Sequence, residues 1–109
     1  MCIIVTSKSK KAKTDIVCWK VLNRGNEACY ADFFYEKGKI NPIIRLKKDM
    51  NNEIFEGYHS YQSKERAYFA FEYWGGTFVK KFIIPAGIRY YQNDWFGEYV
   101  SETIILAQR

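Results

Sequence analysis

Apolar and polar residues alternate, or run together, in short stretches along most of the chain, a pattern that predicts strands. The first four such stretches are residues 2–6, 15–22, 28–35 and 43–46. β-branched and aromatic side chains dominate them, and both types favour extended backbone. Alternation within the second stretch places Val17, Trp19 and Val21 on one side and Cys18 and Lys20 on the other. We expect the first of these sides to face the core.

One later stretch has the spacing of a helix. Ser63 is a good N-cap, and Glu65 stands in the first turn, where the helix dipole favours an anion. Apolar residues then recur at i, i+3, i+4 and i+7, as one buried stripe requires. The residues of this stripe are Ala67, Ala70, Phe71 and Trp74. The diglycine at 75–76 supplies a C-terminal stop, so the pattern predicts a helix over about 63–74.

The remaining stretches predict three more extended segments, at 77–84, 88–91 and 98–106, with turns at 85–87 and 93–97. A chain of 109 residues is one domain on length alone, covering 1–109. One run of strands broken by a single helix is typical of an α+β fold. We therefore predict one main helix packed on a curved, mainly antiparallel sheet of five to seven strands.

The charge of the chain is unevenly distributed. The first 24 residues carry six basic side chains and Asp15, an excess of five, while residues 25–109 carry 11 basic and 11 acidic ones, so the net charge of +5 lies in the first segment. Both a solvated lysine loop and an anion-contacting loop fit this pattern. Because the excess is confined to one segment, we do not expect extended nucleic acid as a partner.

Cysteine usage favours a reducing compartment. Cys2, Cys18 and Cys29 are odd in number and follow no disulfide-framework spacing. No signal peptide and no apolar run long enough for a membrane span is recognisable. We expect a cytoplasmic protein without membrane attachment. The three cysteines with His59 contain no Cys-x-x-Cys pair, so no metal site and no cofactor is predicted.

Binding chemistry gathers near the start of the predicted helix. Aromatic residues make up 18% of the chain, so some rings must serve the core and others can stack on a ligand. His59 has no acidic or nucleophilic neighbour in sequence, and no catalytic residue is predicted. The cations and rings near this helix N-terminus favour an anionic ligand there. A second cluster of the same residue types lies at 89–91. The predicted ligand-binding residues are Lys20, Tyr58, His59, Tyr61, Arg66, Arg89 and Tyr91.

Several segments resemble small uncharacterised proteins of gut bacteria and their phages. They are Met1-Cys2, 15–22, 57–61 with the helix that follows, 84–91 and 99–101, and the resemblance covers nearly the whole chain. It implies a phage or mobile-element origin. Small proteins from that setting often bind host systems, as inhibitors or sequestering agents.

A second set of residues resembles the ADP-ribosyltransferase core. That core has a strand with His or Arg, an aromatic turn, a helix with an early Ala, and a late strand with a catalytic Glu. The corresponding positions here are Arg24, then 59–61 with Ala67, then Glu98 or Glu102. The resemblance implies a related topology and, as an alternative function, an enzyme of that class.

These observations together predict a non-enzymatic binding protein of phage or mobile-element origin. It either captures an anionic, nucleotide-type ligand or inhibits a host defence protein, with exposed aromatics such as Tyr91 and Trp95 as hot spots. The alternative is an ADP-ribosyltransferase-like enzyme or a degenerate relative of one. The nine-residue last strand leaves a homodimer open.

Overall fold

The computed structural model describes residues 3–4, 8–28, 33–54, 56–74 and 78–108. The elements in chain order are β1 Ile3–Ile4, β2 Lys10–Lys11, β3 Ile16–Asn23, a 3-10 turn at Arg24–Asn26, β4 Glu27–Ala28, β5 Glu53–Ile54, β6 Tyr58–Tyr61, α1 Lys64–Trp74, β7 Phe78–Ile84, β8 Arg89–Asn93, β9 Glu98–Ser101 and β10 Ile105–Leu106. The α+β class is confirmed.

The strands form one large sheet and one small one. Eight strands make the large sheet, in the order β10-β7-β3-β6-β9-β8-β2 with β4 beside β3, and β1 pairs with β5 separately. Every pairing between these named strands is antiparallel, as predicted. The described sheet has more strands than the five to seven expected, because several are only two residues long. The strand order is open, and the predicted curvature is not confirmed.

The central strand β3 is covered on both sides. Cys18 and Leu22 are fully buried beside Phe82 in the main core. We call this side of the sheet the core face. The opposite side, the helix face, carries Trp19 and Val21, which pack with Ala67 of α1.

The predicted core side of β3 is confirmed for Trp19 and Val21, which pack with Ala67, and is wrong for Val17. Val17, placed in the core by the sequence pattern, is 46% exposed, whereas Cys18 is fully buried. Both sides of β3 carry apolar residues because each packs against a different layer. Alternation of residue type cannot tell such sides apart.

The helix begins where the sequence predicts. The Arg66 N–H donates to Ser63 Oγ at 3.2 Å, which confirms Ser63 as the N-cap. Ala67, the first residue of the predicted stripe, is fully buried. The side chains of Ala70, Phe71 and Trp74, and the stop at Gly75-Gly76, lie outside the described residues.

Three other predicted segments differ from the structure. Residues 43–46 are irregular, because no strand of the described chain pairs with them, and Ile43 is 64% exposed. The last strand is broken at 102–104, so β9 pairs with β6 and β8 while β10 pairs with β7. The lysine loop contains a strand, β2. For the first and third predicted strands, residues 2, 5–6 and 29–32 lie outside the described part of the chain.

Candidate functional site

Two of the predicted ligand-binding residues have structural contacts. Tyr58 is buried in the main core, and its hydroxyl donates to the carbonyl oxygen of Pro42 at 2.8 Å. Burial raises the pKa of the Tyr58 hydroxyl. Lys20 is half-buried, and its Nζ donates to the carbonyl oxygen of His59 at 2.6 Å. This bond ties β3 to β6 where their pairing is limited to Trp19 and Tyr61.

His59 and Tyr61 lie on the helix face beside an acidic residue. Tyr61 pairs with both Trp19 and Glu98, so these three residues form one row across the sheet. His59 pairs with Val100, one row further along. Diagonal neighbours of this kind lie within reach of long side chains. The structure therefore brings an imidazole, a phenol and a carboxyl group together.

The carboxyl group of Glu98 is poorly solvated. Its Oε2 is buried and accepts no hydrogen bond, and burial raises the pKa of Glu98 above its ordinary value of 4.5. Glu102, the other acid considered from the sequence, has a different environment. Its Oε1 accepts the backbone N–H of Arg89 at 2.9 Å. Glu98 is thus the acid on the His59 and Tyr61 surface.

Tyr91 lies in the same row as His59, since both pair with Val100, and Arg89 lies two residues away along β8, beside the edge strand β2. Arg89 pairs with Lys11 of β2, and its Nη1 donates to Ser9 Oγ at 3.0 Å. Tyr91 packs in a small cluster with the buried Ile54, and Lys48 Nζ lies 5.6 Å from the centre of its ring. The seven predicted residues are thus spread over both faces and one edge of the sheet.

Arg66 borders the hairpin turn between β8 and β9. Its side chain lies across Gly97, where a Cβ atom would stand 2.9 Å from Arg66 Cγ. Gly97 also has φ of +64°, a conformation that glycine adopts without strain. The α1 N-terminus and the turn are therefore packed together.

Hydrogen bonds fix the shape of this turn. Asn93 Oδ1 accepts the backbone N–H groups of Trp95 at 2.9 Å and Phe96 at 3.2 Å, the pattern of an Asx turn. The Gln62 N–H donates to the carbonyl oxygen of Gly97 at 2.8 Å. Asp94 Oδ1 accepts from the side chain of Gln62 at 3.0 Å and from that of Gln92 at 2.6 Å. These bonds connect the turn to the residues between β6 and α1.

The turn presents two large rings to solvent. Trp95 is 83% exposed and Phe96 is 54% exposed. We call these two residues the aromatic tip. Asn93, Asp94 and Gly97 are visible turn signals in the sequence. Of the two rings on this turn, Trp95 was predicted as a hot spot, together with Tyr91 elsewhere, and Phe96 was missed. No local pattern shows that a ring at a turn is exposed.

An open apolar cavity of about 510 Å³ lies at the other end of the sheet, lined by residues that include Phe34, Ile40 and Ile43. Ile40 bridges to Ile105 of β10. The side-chain amide of Asn41 donates to the carbonyl oxygen of Ile104 at 2.7 Å, so this side chain stabilises the fold. Glu36 and Lys39 also line the cavity, and they form an ion pair with each other at 3.8 Å.

Comparison of the chain with protein-family models, curated proteins and solved structures gave no match. Within the described residues, no three His, Cys, Asp or Glu side chains cluster as metal ligands would. Over the same ranges, no helix has the length and apolar character needed to cross a bilayer. Cys2 and Cys29 lie outside them.

Proposed function

We propose that this chain is a binding protein that docks on another protein through its aromatic tip. The observation that carries the proposal is that Trp95 is 83% exposed on a turn held by side-chain hydrogen bonds. An exposed ring in a mobile loop would lose conformational entropy on binding. A ring on a fixed turn loses much less, and this preorganisation favours affinity.

Composition supports a protein partner. Trp, Tyr and Arg are the residues enriched at binding hot spots, and Arg66 borders the aromatic tip through its contact with Gly97. Burying one large apolar side chain contributes roughly 1.5–3 kcal/mol. Trp95 and Phe96 together therefore offer enough apolar surface to anchor an interface.

The chemistry of the tip also describes the partner. An apolar cleft would accept the two rings, and a carboxylate beside the cleft would pair with the exposed Arg66 guanidinium. Asp94 in the turn already accepts two side-chain hydrogen bonds, which lower the pKa of its carboxyl group. We propose a host protein as the partner, in line with the phage-related resemblance.

Capture of a partner from host extract, followed by titration of the purified pair, tests the proposal. Trp95→Ala is expected to weaken binding at least about 30-fold, a hot-spot loss of 2 kcal/mol or more. Phe34→Ala is the matched control, because Phe34 is a 59% exposed ring at the cavity, at the other end of the sheet. Equal affinity of Trp95→Ala and the unchanged chain would rule out the aromatic tip as the docking site.

A second candidate function is an ADP-ribosyltransferase-like activity. It is favoured by the raised pKa and buried Oε2 of Glu98 in the row next to His59. Perturbed acids beside an imidazole are common at active sites. In this proposal Glu98 is the catalytic acid, and Glu102 is not, because its carboxylate is bound to the backbone of Arg89.

The enzyme proposal is tested by measuring NAD consumption with host extract as the source of targets. Glu98→Gln is expected to abolish turnover and Glu102→Gln to retain it. Absence of NAD consumption by the unchanged chain would remove this candidate. The same result would leave the docking proposal intact, since docking requires no turnover.

A further inference from the structure

The edge strand β2 concentrates positive charge on one border of the sheet. Lys10 pairs with Tyr90, and Lys11 pairs with Arg89. Lys8 and Lys13 flank the strand and are exposed, as are both strand lysines. The sequence alone shows a basic loop here. The pairing of β2 with β8 places Arg89 beside the lysines and holds the backbone of Lys10 and Lys11 in an extended conformation.

None of these cations forms an ion pair with another described residue. Among the described residues, the one ion pair is between Lys39 and Glu36, remote in sequence from this edge. Three carboxylates lie near this edge. Glu102 and Asp15 accept the backbone N–H groups of Arg89 and Ala86, and Lys10 is one of the groups that lower the pKa of Asp94. The five exposed cations, Lys8, Lys10, Lys11, Lys13 and Arg89, outnumber these three carboxylates, so the edge keeps a positive charge.

The edge is also open to a ligand. Over the described part of the chain, no strand pairs with the outer side of β2. The Ala12 N–H donates inward to the carbonyl oxygen of Ile88 at 2.9 Å. Because inward and outward backbone groups alternate along an edge strand, the Lys11 N–H is directed outward. It adds a donor to the lysine side chains.

An aromatic ring lies next to the cations. Tyr91 is on the same side of β8 as Arg89, two residues further along, and is partly exposed. Lys48 lies over its ring at 5.6 Å. A ring beside a row of cations is the arrangement that binds a base and its neighbouring phosphates.

We propose that this edge binds a short stretch of single-stranded nucleic acid, about three to four phosphates long. Lys10 and Lys11 project on opposite sides of the edge, so a phosphate chain lying along it is contacted from both. The cationic strip is one strand wide, which suits a single phosphate chain better than the two chains of a duplex. The limited number of cations sets the short footprint.

Fluorescence anisotropy with a labelled oligothymidylate of about eight nucleotides tests this proposal, and an oligouridylate of equal length distinguishes DNA from RNA. Binding is expected to weaken with salt, with a slope of log affinity against log salt of about −2 to −3. The double substitution Lys10→Gln with Lys11→Gln is expected to make the slope shallower by about 1.4 and the affinity at least about tenfold lower at low salt.

A charge-matched control separates local contacts from net charge. Arg24→Gln with Lys39→Gln removes the same two charges at sites away from β2, and we expect it to have little effect. Equal weakening by the two double variants would overturn the proposal. So would no binding of either oligonucleotide at low salt, or preferential binding of phosphatidylserine vesicles, of inorganic polyphosphate or of duplex DNA.

Discussion

Glu98 shows how burial of one acid affects both stability and chemistry. Its Oε2 is shielded from water and receives no hydrogen bond, so the ionised form is disfavoured in the folded chain. Burial accordingly raises the pKa of Glu98 from 4.5. An acid whose pKa is raised by folding lowers stability at any pH above that folded pKa. The loss disappears as the pH falls below 4.5, where both folded and unfolded chains are protonated.

Glu98→Gln is therefore expected to raise the midpoint of thermal unfolding at pH 7. The gain should shrink as the pH is lowered and vanish near pH 4. Glu56→Gln is the control, because Glu56 is exposed and the substitution removes the same charge. Thermal unfolding of the three chains between about pH 4 and pH 7 measures the difference. A gain in Glu98→Gln that does not change with pH would contradict the account.

Cys18 is the one cysteine whose side chain the structure describes, and it is fully buried. Burial raises the pKa of the Cys18 thiol to about 11. At pH 8 only about one thiol in a thousand is then ionised. We expect Cys18 to resist iodoacetamide in the folded chain and to react after unfolding in urea. Peptide mass spectrometry separates Cys18 from the other cysteines and measures its labelling in the folded and the unfolded chain. Rapid labelling of Cys18 in the folded chain would be inconsistent with this burial.

The sequence indicated residues that are able to bind a ligand, but it did not show which of them lie close together in the fold. Tyr58 and His59 are neighbours in sequence, yet consecutive strand residues face opposite sides, and only His59 lies on the helix face. Arg89 lies at the β2 edge because of a pairing with Lys11 that no local pattern predicts. Which residues converge is decided by strand register, and register depends on distant parts of the chain.

At the scale of elements, the start of α1 is set by one side chain. Ser63 Oγ accepts the Arg66 N–H, one of the amide groups that have no partner within the helix. Ser63→Ala is expected to lower the free energy of unfolding by about 1 kcal/mol. Ser63→Asp keeps an acceptor and should restore most of the loss. Urea denaturation measures all three chains, and an unchanged free energy in Ser63→Ala would show that the cap contributes nothing.

The hairpin turn between β8 and β9 favours glycine at position 97 for two reasons, the positive φ and the side chain that packs against it. Gly97 and Gly87 both have positive φ, but only Gly97 has a side chain against it, that of Arg66. Gly97→Ala is expected to lower the free energy of unfolding by more than Gly87→Ala does. The loss in Gly87→Ala, on the order of 1 kcal/mol, comes from the positive φ alone. The double change Gly97→Ala with Arg66→Ala should recover part of the difference. Equal losses for the two single alanines, measured by urea denaturation, would contradict the packing of Arg66 on the turn.

Elements with a capping residue or a long apolar run were predicted well. Strands that are extended only because a partner strand pairs with them were not. The helix and the strands β3 and β7 follow from capping and from long apolar runs. The strand β2 consists of two lysines, so its extended form comes from its hydrogen-bonded partner β8. Residues 43–46 show the reverse, since an apolar run without a sheet partner remains irregular.

For the whole molecule, the two proposed surfaces lie at opposite ends of β8. Trp95 lies two residues beyond its last residue, whereas Arg89, its first residue, borders β2. We expect Trp95→Ala to leave oligonucleotide affinity unchanged. We expect Lys11→Gln with Lys13→Gln, which keeps the Lys10 contact with Gln92, to leave docking to the protein partner unchanged. Anisotropy and partner titration on both variants measure this separation. Loss of both activities in either folded variant would mean that the surfaces act as one site.

Photo-crosslinking from the aromatic tip tests the central claim most directly. Benzoylphenylalanine placed at position 95 would replace an exposed ring by a reactive one on the same turn, and the same residue at position 34 would serve as the control. In host cells, we predict a crosslink from position 95 to one defined protein and none to that protein from position 34. Crosslinking to that protein from both positions, or from neither, would contradict docking through the aromatic tip.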